Sequence, residues 1–225
     1  MTAQWKQHAR HMLKGKWWLL AGILIVFTVL NAIPQTFAPT VDPEVAPTAT
    51  ETSLTLLSLL LTILIAPLTL GWSWIVLSVS RGDKPAISQL FEPFRNGYVK
   101  HVLAPLLMGI FIFLWSLLLI IPGIIKAFSY SLTYYIMRDE PELSALEAIT
   151  ESRRLMDGHK MQAFKLVLSF IGWFFVGILT LGIGFLFIYP YFSTAYATFY
   201  DSIQQDQRPE PQYMTDHSTD APTGF

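Results

Sequence analysis

Thirty-six consecutive residues, Leu103 to Arg138, constrain this chain more than any other stretch: LAPLLMGIFIFLWSLLLIIPGIIKAFSYSLTYYIMR. A helix crosses a bilayer's hydrocarbon core in roughly 20 apolar residues, so the run is too long for one span. Lys100 lies just before it and Arg138 closes it. Basic flanks belong on the same face of a membrane, so the chain is expected to cross, turn at Pro122-Gly123 and cross back. The stretch reads as a hairpin over 102–137.

Three further runs, Trp17 to Ile33, Leu54 to Val79 and Leu166 to Ile188, are comparably apolar. The whole chain is 52% hydrophobic and 14% charged, with a mean hydropathy of +0.44, beyond what a soluble core requires. The expected class is therefore all-α and polytopic. Six transmembrane helices form three hairpins, 17–80, 102–137 and 164–203, each preceded by an amphipathic interfacial helix on the cytoplasmic side. Together they make a single membrane domain over 1–203. The first run follows a basic segment but is closed by no small-residue cleavage site, so it reads as an uncleaved helix.

Each interfacial helix shows an apolar face at helical spacing. Trp5, Ala9, Met12 and Leu13 share one face of the first, and Ile87, Leu90, Phe91 and Phe94 share one face of the second. In the second, Asp83 is the expected cap and Pro93 with Asn96-Gly97 the expected stop. The third is expected to start at Asp139 and Pro141, to turn Leu143, Leu146, Ile149 and Met156 inward, and to end at Gly158. Glycine with a nearby lysine closes all three: Gly15 with Lys16, Gly97 with Lys100, and Gly158 with Lys160. This recurrence implies three diverged hairpin repeats.

The connections are polar. Residues 34–52 hold four prolines and no Lys or Arg, and read as an extended extracytoplasmic loop rich in Pro and Thr. Helix two then returns with an expected kink at Pro67. Residues 204–225 lack apolar periodicity and read as a disordered cytoplasmic tail. Of the fifteen Lys and Arg residues, this layout leaves Lys126 alone outside, which supports cytoplasmic placement of both termini.

Composition removes several functions. A net charge of −1 argues against nucleic acid, which needs a concentrated cationic face. The absence of cysteine excludes disulfides, thiolate metal sites and cysteine nucleophiles. His8 and His11 have no further ligands nearby, so no metal or other cofactor is expected. No catalytic constellation occurs, and the reading is non-enzymatic.

Two features can bind something. Hydroxyl residues are concentrated in helices four and six, where Tyr130, Tyr134, Tyr189, Tyr196 and Tyr200 are candidate lining of a cavity for a polar or amphipathic ligand. Cations near the membrane entrances, Lys14, Lys16, Lys100, Lys126, Arg153, Arg154 and Lys160, are candidate contacts for anionic headgroups or a protein partner.

The series LLLIIPGIIKAFSYSLTYYIMRDEP, then Ala148, Ser152, Leu155, Met156, Gly158 and Lys160 in an AxxxSxxLMxGxK pattern, then LSFIGW and a YPYxxTxxATFY ending, carries a family resemblance. Over roughly residues 5–203 the chain resembles the bacterial integral membrane proteins grouped as domain of unknown function 975, common in Gram-positive bacteria. The resemblance implies a multi-pass protein of the bacterial cytoplasmic membrane, and it carries over no catalytic residue. The first reading is a non-enzymatic scaffold that binds lipid or a protein partner through its interfacial helices; the alternative is a small transporter or carrier using the cavity between helices four and six.

Overall fold

Residues 2–40 and 46–207 are described by the structure, a computed structural model. Among them every regular element is helical: α1 Thr2–Met12, α2 Trp17–Ala32, α3 Ala49–Ile65, α4 Pro67–Ser80, α5 Glu92–Arg95, α6 Tyr98–Leu118, α7 Ile120–Tyr130, α8 Thr133–Asp139, α9 Ala145–Leu155, α10 Lys160–Leu168, α11 Ile171–Leu179 and α12 Phe185–Gln207. Two 3-10 turns, Pro34–Phe37 and Ile87–Phe91, complete the set. Four stretches are long and apolar enough to cross a membrane: Trp17–Phe37, Ala49–Ser80, Tyr98–Leu118 and Lys160–Leu179.

α4 is the axis of the molecule. Every one of its residues except Thr69 is buried, whereas α3, the preceding half of the same apolar run, buries only Ser58. α12 lies along α4, and α1, α8 and the 3-10 turn at Ile87–Phe91 pack around the pair. Apolar side chains left bare concentrate elsewhere: in α2 and α3, where α11 leads into α12, and where α6 leads into α7, with Leu117 and Ile120 75% exposed.

The three segments expected to be interfacial do not lie free. Trp5, Ala9 and Leu13 of the first are buried, with Trp5 edge-on to Phe199 at 4.9 Å. In the second, Leu90 is buried while Ile87 and Phe91 stay exposed. Pro93 there opens the short helix α5 instead of stopping the segment, because a proline in a first helical turn has no amide hydrogen to lose. In the third, the buried face is Ala145, Ala148, Ile149, Ser152 and Leu155, and Leu146 is exposed. Small residues on that face let α9 approach α7 and α8 closely. Asp139 ends α8, and α9 starts later, at a capping box in which Ser144 accepts from the Glu147 amide and Glu147 accepts from the Ser144 amide.

Gly15, Gly97 and Gly158, the three glycines singled out by sequence, share a left-handed backbone, with φ of 76°, 72° and 75°. Each separates a segment expected to be interfacial from the helix that follows. A second capping box, Thr48 with Glu51, starts α3 at Ala49, inside the stretch expected to be loop, and Pro34–Phe37 is a 3-10 turn rather than extended chain. Positions 41–45 of that loop fall outside the described residues, as does the tail from 208 onward; α12 itself runs to Gln207, past the expected boundary at 204.

Candidate functional site

Three long helical runs break in their middles. The α3–α4 break falls at Ala66-Pro67, where proline removes an amide donor. The other two have no proline. At Ser131 and at Ser169 the side-chain hydroxyl turns back to the carbonyl three residues earlier, Phe128 and Leu166, at 2.7 Å in both cases. That local bond competes with the helical ladder, and the helix resumes only at Thr133 and Ile171. A distant side chain serves each of these breaks. Ser152 of α9 donates to the Ser129 carbonyl at 2.9 Å and accepts from the Leu132 amide at 3.2 Å. Lys6 of α1 donates to the Ser169 carbonyl at 3.2 Å, its ammonium 4.7 Å from the centre of the Phe170 ring.

Beside the breaks at Pro67 and Ser131 lies a cavity of about 370 Å³. α4 supplies Thr69, Trp72 and Ser73 to its wall; α7 and α8 supply Phe128 and Tyr134, with Ser131 between them; α12 supplies Tyr189, Ser193 and Tyr196. The wall is ordered by its own contacts. Trp72 is stacked between Phe27 and Tyr189, at 5.8 and 5.4 Å, and its indole N–H donates to Ser193 Oγ at 3.3 Å. The hydroxyls of Ser131 and Tyr196 bond across the cavity at 2.6 Å. Trp74, facing away, donates to the Tyr134 carbonyl at 2.9 Å and so ties α8 to α4. Among the described residues no Asp, Glu, Lys, Arg or His lines the cavity.

The same three helices meet again at one end. Arg81, the residue that closes α4, holds Asp139 at the end of α8 through two parallel bonds of 2.6 and 2.7 Å. The same guanidinium donates to Asp201 of α12 at 2.8 and 3.1 Å. Ser80 donates to the other Asp201 oxygen at 2.9 Å, and the Tyr200 hydroxyl donates to Asp139 at 2.8 Å. The hydrogen bonds it donates to Asp139 drive the Arg81 guanidinium above its already high ordinary value. Burial alone would raise the Asp139 carboxyl, but the bonds from Arg81 and Tyr200 outweigh it and hold that carboxyl below the usual aspartate value of 3.8. Both carboxylates are committed to one guanidinium, so the cluster's chemistry is attachment. No group of three or more His, Asp or Glu is placed to hold a metal ion among the described residues.

Of the five candidate tyrosines, Tyr134, Tyr189 and Tyr196 line the cavity. Tyr130 is buried against Met108 and Ile149, and Tyr200 is stacked on Tyr135 at 5.3 Å within the ionic cluster. Sequence reasoning missed the α4 contribution, although Trp72-Ser73-Trp74 directly after the Pro67 kink was a usable signal. The candidate cations scatter. Lys16 donates to the carbonyls of Gly82 and Asp83 at 3.0 and 2.6 Å, and Lys100 donates to the Pro141 carbonyl. Arg154 pairs with Glu151, and Lys160 with Asp157 at 3.4 Å. Lys14 and Arg153 are exposed. Lys126 sits 4.4 Å from the centre of the Trp115 ring.

Comparison with known proteins adds one result. No curated protein and no solved structure matches the chain. A family model described as "Protein of unknown function (DUF975)" matches residues 1–129 and 117–207. With helices apolar enough to cross a membrane and a match that runs through α1 to α12, the chain belongs to the DUF975 family.

Proposed function

We propose that this is a multi-pass protein of the bacterial cytoplasmic membrane, with both termini cytoplasmic, that binds a small uncharged amphiphile in the cavity between α4, α7–α8 and α12, as a small carrier would. The observation that carries the reading is the lining itself: aromatic walls with a few hydroxyls, and no charge. Its 370 Å³ lies within the usual size of small-molecule sites. A charged ligand would be stripped of water there with no counter-ion to replace it, whereas a neutral one with a hydroxyl or amide finds partners in Ser131, Ser193 and Tyr196. Helix breaks at membrane depth are tolerated where they line a cavity, and two border this one. A scaffold acting through free interfacial faces is less well supported, because Trp5, Ala9, Leu90 and Ala148 spend those faces on the protein's own core.

Nile red, a neutral aromatic dye, is a suitable probe in lipid nanodiscs. Energy transfer from tryptophan to the dye should saturate for the wild-type protein, and filling the cavity with Ser193→Trp or Ser73→Trp should weaken that saturable component about tenfold. Circular dichroism and gel filtration check that both variants remain folded. Saturable transfer that persists unchanged in both folded variants, or that never rises above protein-free nanodiscs, would return the scaffold reading to first place.

A further inference from the structure

The N-terminal segment carries four cations, and they divide into two kinds. Lys6 and Lys16 are tied to backbone carbonyls, of Ser169 and of Gly82 with Asp83. Arg10 and Lys14 are exposed, and neither pairs with a carboxylate among the described residues. They stand four residues apart, at the rim of the same groove of about 500 Å³ between the α1–α2 corner, α11 and α12. Below the two cations the groove is aromatic. Tyr191 lies 6.3 Å from Trp17 and 6.2 Å from Trp173, ring centre to ring centre, and Phe187 lies 6.3 Å from Trp17. The Arg10 guanidinium is held 5.7 Å from the centre of the Tyr191 ring, so its position is set while its hydrogen-bond donors stay free.

Two free cations above an apolar slot match one kind of occupant in charge and in shape. We propose that this groove binds an anionic phospholipid, with its phosphate between Arg10 and Lys14 and one acyl chain along Trp17, Trp173 and Phe187. Planar guanidinium groups suit phosphate oxygens, and basic pockets between membrane helices recognise anionic headgroups. A zwitterionic lipid would place its own ammonium beside two cations. A free phosphate ion would leave the aromatic slot empty, so the slot favours a lipid as the source of the anion. The inference rests on the membrane location and not on the ligand cavity, which shares no lining residue with the groove.

Native mass spectrometry of the full chain, released from detergent micelles doped with phosphatidylglycerol or with phosphatidylcholine, tests the site. The wild-type protein should retain one phosphatidylglycerol with about tenfold preference over phosphatidylcholine. Arg10→Gln with Lys14→Gln should abolish the preference, and both positions are exposed, so the fold is not at stake. Trp173→Ala should reduce retention of either lipid, while Lys165→Gln, a cation outside the groove, should change nothing. Unchanged preference in the double variant overturns the proposal, as does inorganic phosphate displacing the lipid at equal concentration. Nile red binding in the double variant should remain that of the wild type, which separates failure of this site from failure of the cavity.

Discussion

Arg81 is one side chain tying three helices together, and its partners lie 58 and 120 residues away in the chain. Nothing local in the sequence announces such a pairing: Asp139 reads as a helix start, because periodicity reports one element at a time. The structure gives the pairing a pH signature. The Asp139 carboxyl is held below its ordinary value in the folded state, so its contribution is complete above that value of 3.8 and is lost as pH falls through the lower folded-state value. At neutral pH, Asp139→Asn should cost about 1–2 kcal/mol, at the low end for charge-assisted bonds because the Arg81 side chain is 38% exposed. Unfolding followed by tryptophan fluorescence in detergent should show the two proteins converging below pH 3.8. A gap that persists in acid would mean that the carboxylate charge is not what holds the helices.

At the scale of elements, the sequence reveals what proline and glycine control and hides what serine and distant partners control. The break at Pro67 and the left-handed corners at Gly15, Gly97 and Gly158 were legible because those residues restrict or free the backbone directly. The breaks at Ser131 and Ser169 were not, since a serine inside an apolar run is also an ordinary packing residue, and what fixes each break is a side chain from another helix. Gly71 is a different case, a glycine required by approach and not by conformation. A Cβ there would overlap the Leu90 carbonyl oxygen, so the 3-10 turn at Ile87–Phe91 sits directly on the α4 backbone. Gly71→Ala should therefore cost about 1–3 kcal/mol. Gly109→Ala in α6 meets nothing within 4 Å and should be neutral or stabilising by up to about 1 kcal/mol. Thermal unfolding of the two variants side by side decides the matter: equal stabilities would show that the segment shifts off Gly71 without cost.

For the molecule as a whole, the number of crossings depends on how the broken helices are counted. α7 has 11 residues and α11 has 9, about 16 and 14 Å at 1.5 Å per residue, each close to half of a hydrocarbon core of about 30 Å. α7 can complete a crossing only if α8 continues it, and α11 only if α10 precedes it. The hydroxyls of α12 make it less apolar than the four long stretches, and Tyr189, Ser193 and Tyr196 among them line the cavity, so the feature that keeps α12 from reading as a span is the one that points to a ligand. The chain has no cysteine, so single substitutions report cleanly. Ala46, Ile121, Ser88 and Glu142 are exposed positions that neither cap a helix nor fill the core. In intact cells, a membrane-impermeant maleimide should label Ala46→Cys and Ile121→Cys from outside. Ser88→Cys and Glu142→Cys should react only after the membrane is opened. Outside labelling at Glu142→Cys would invert the proposed orientation of the third interfacial helix. Labelling at Ala46→Cys with none at Ile121→Cys would mean that the α6–α7 hairpin turns back within the bilayer, making it a re-entrant wall of the cavity instead of a pair of spans.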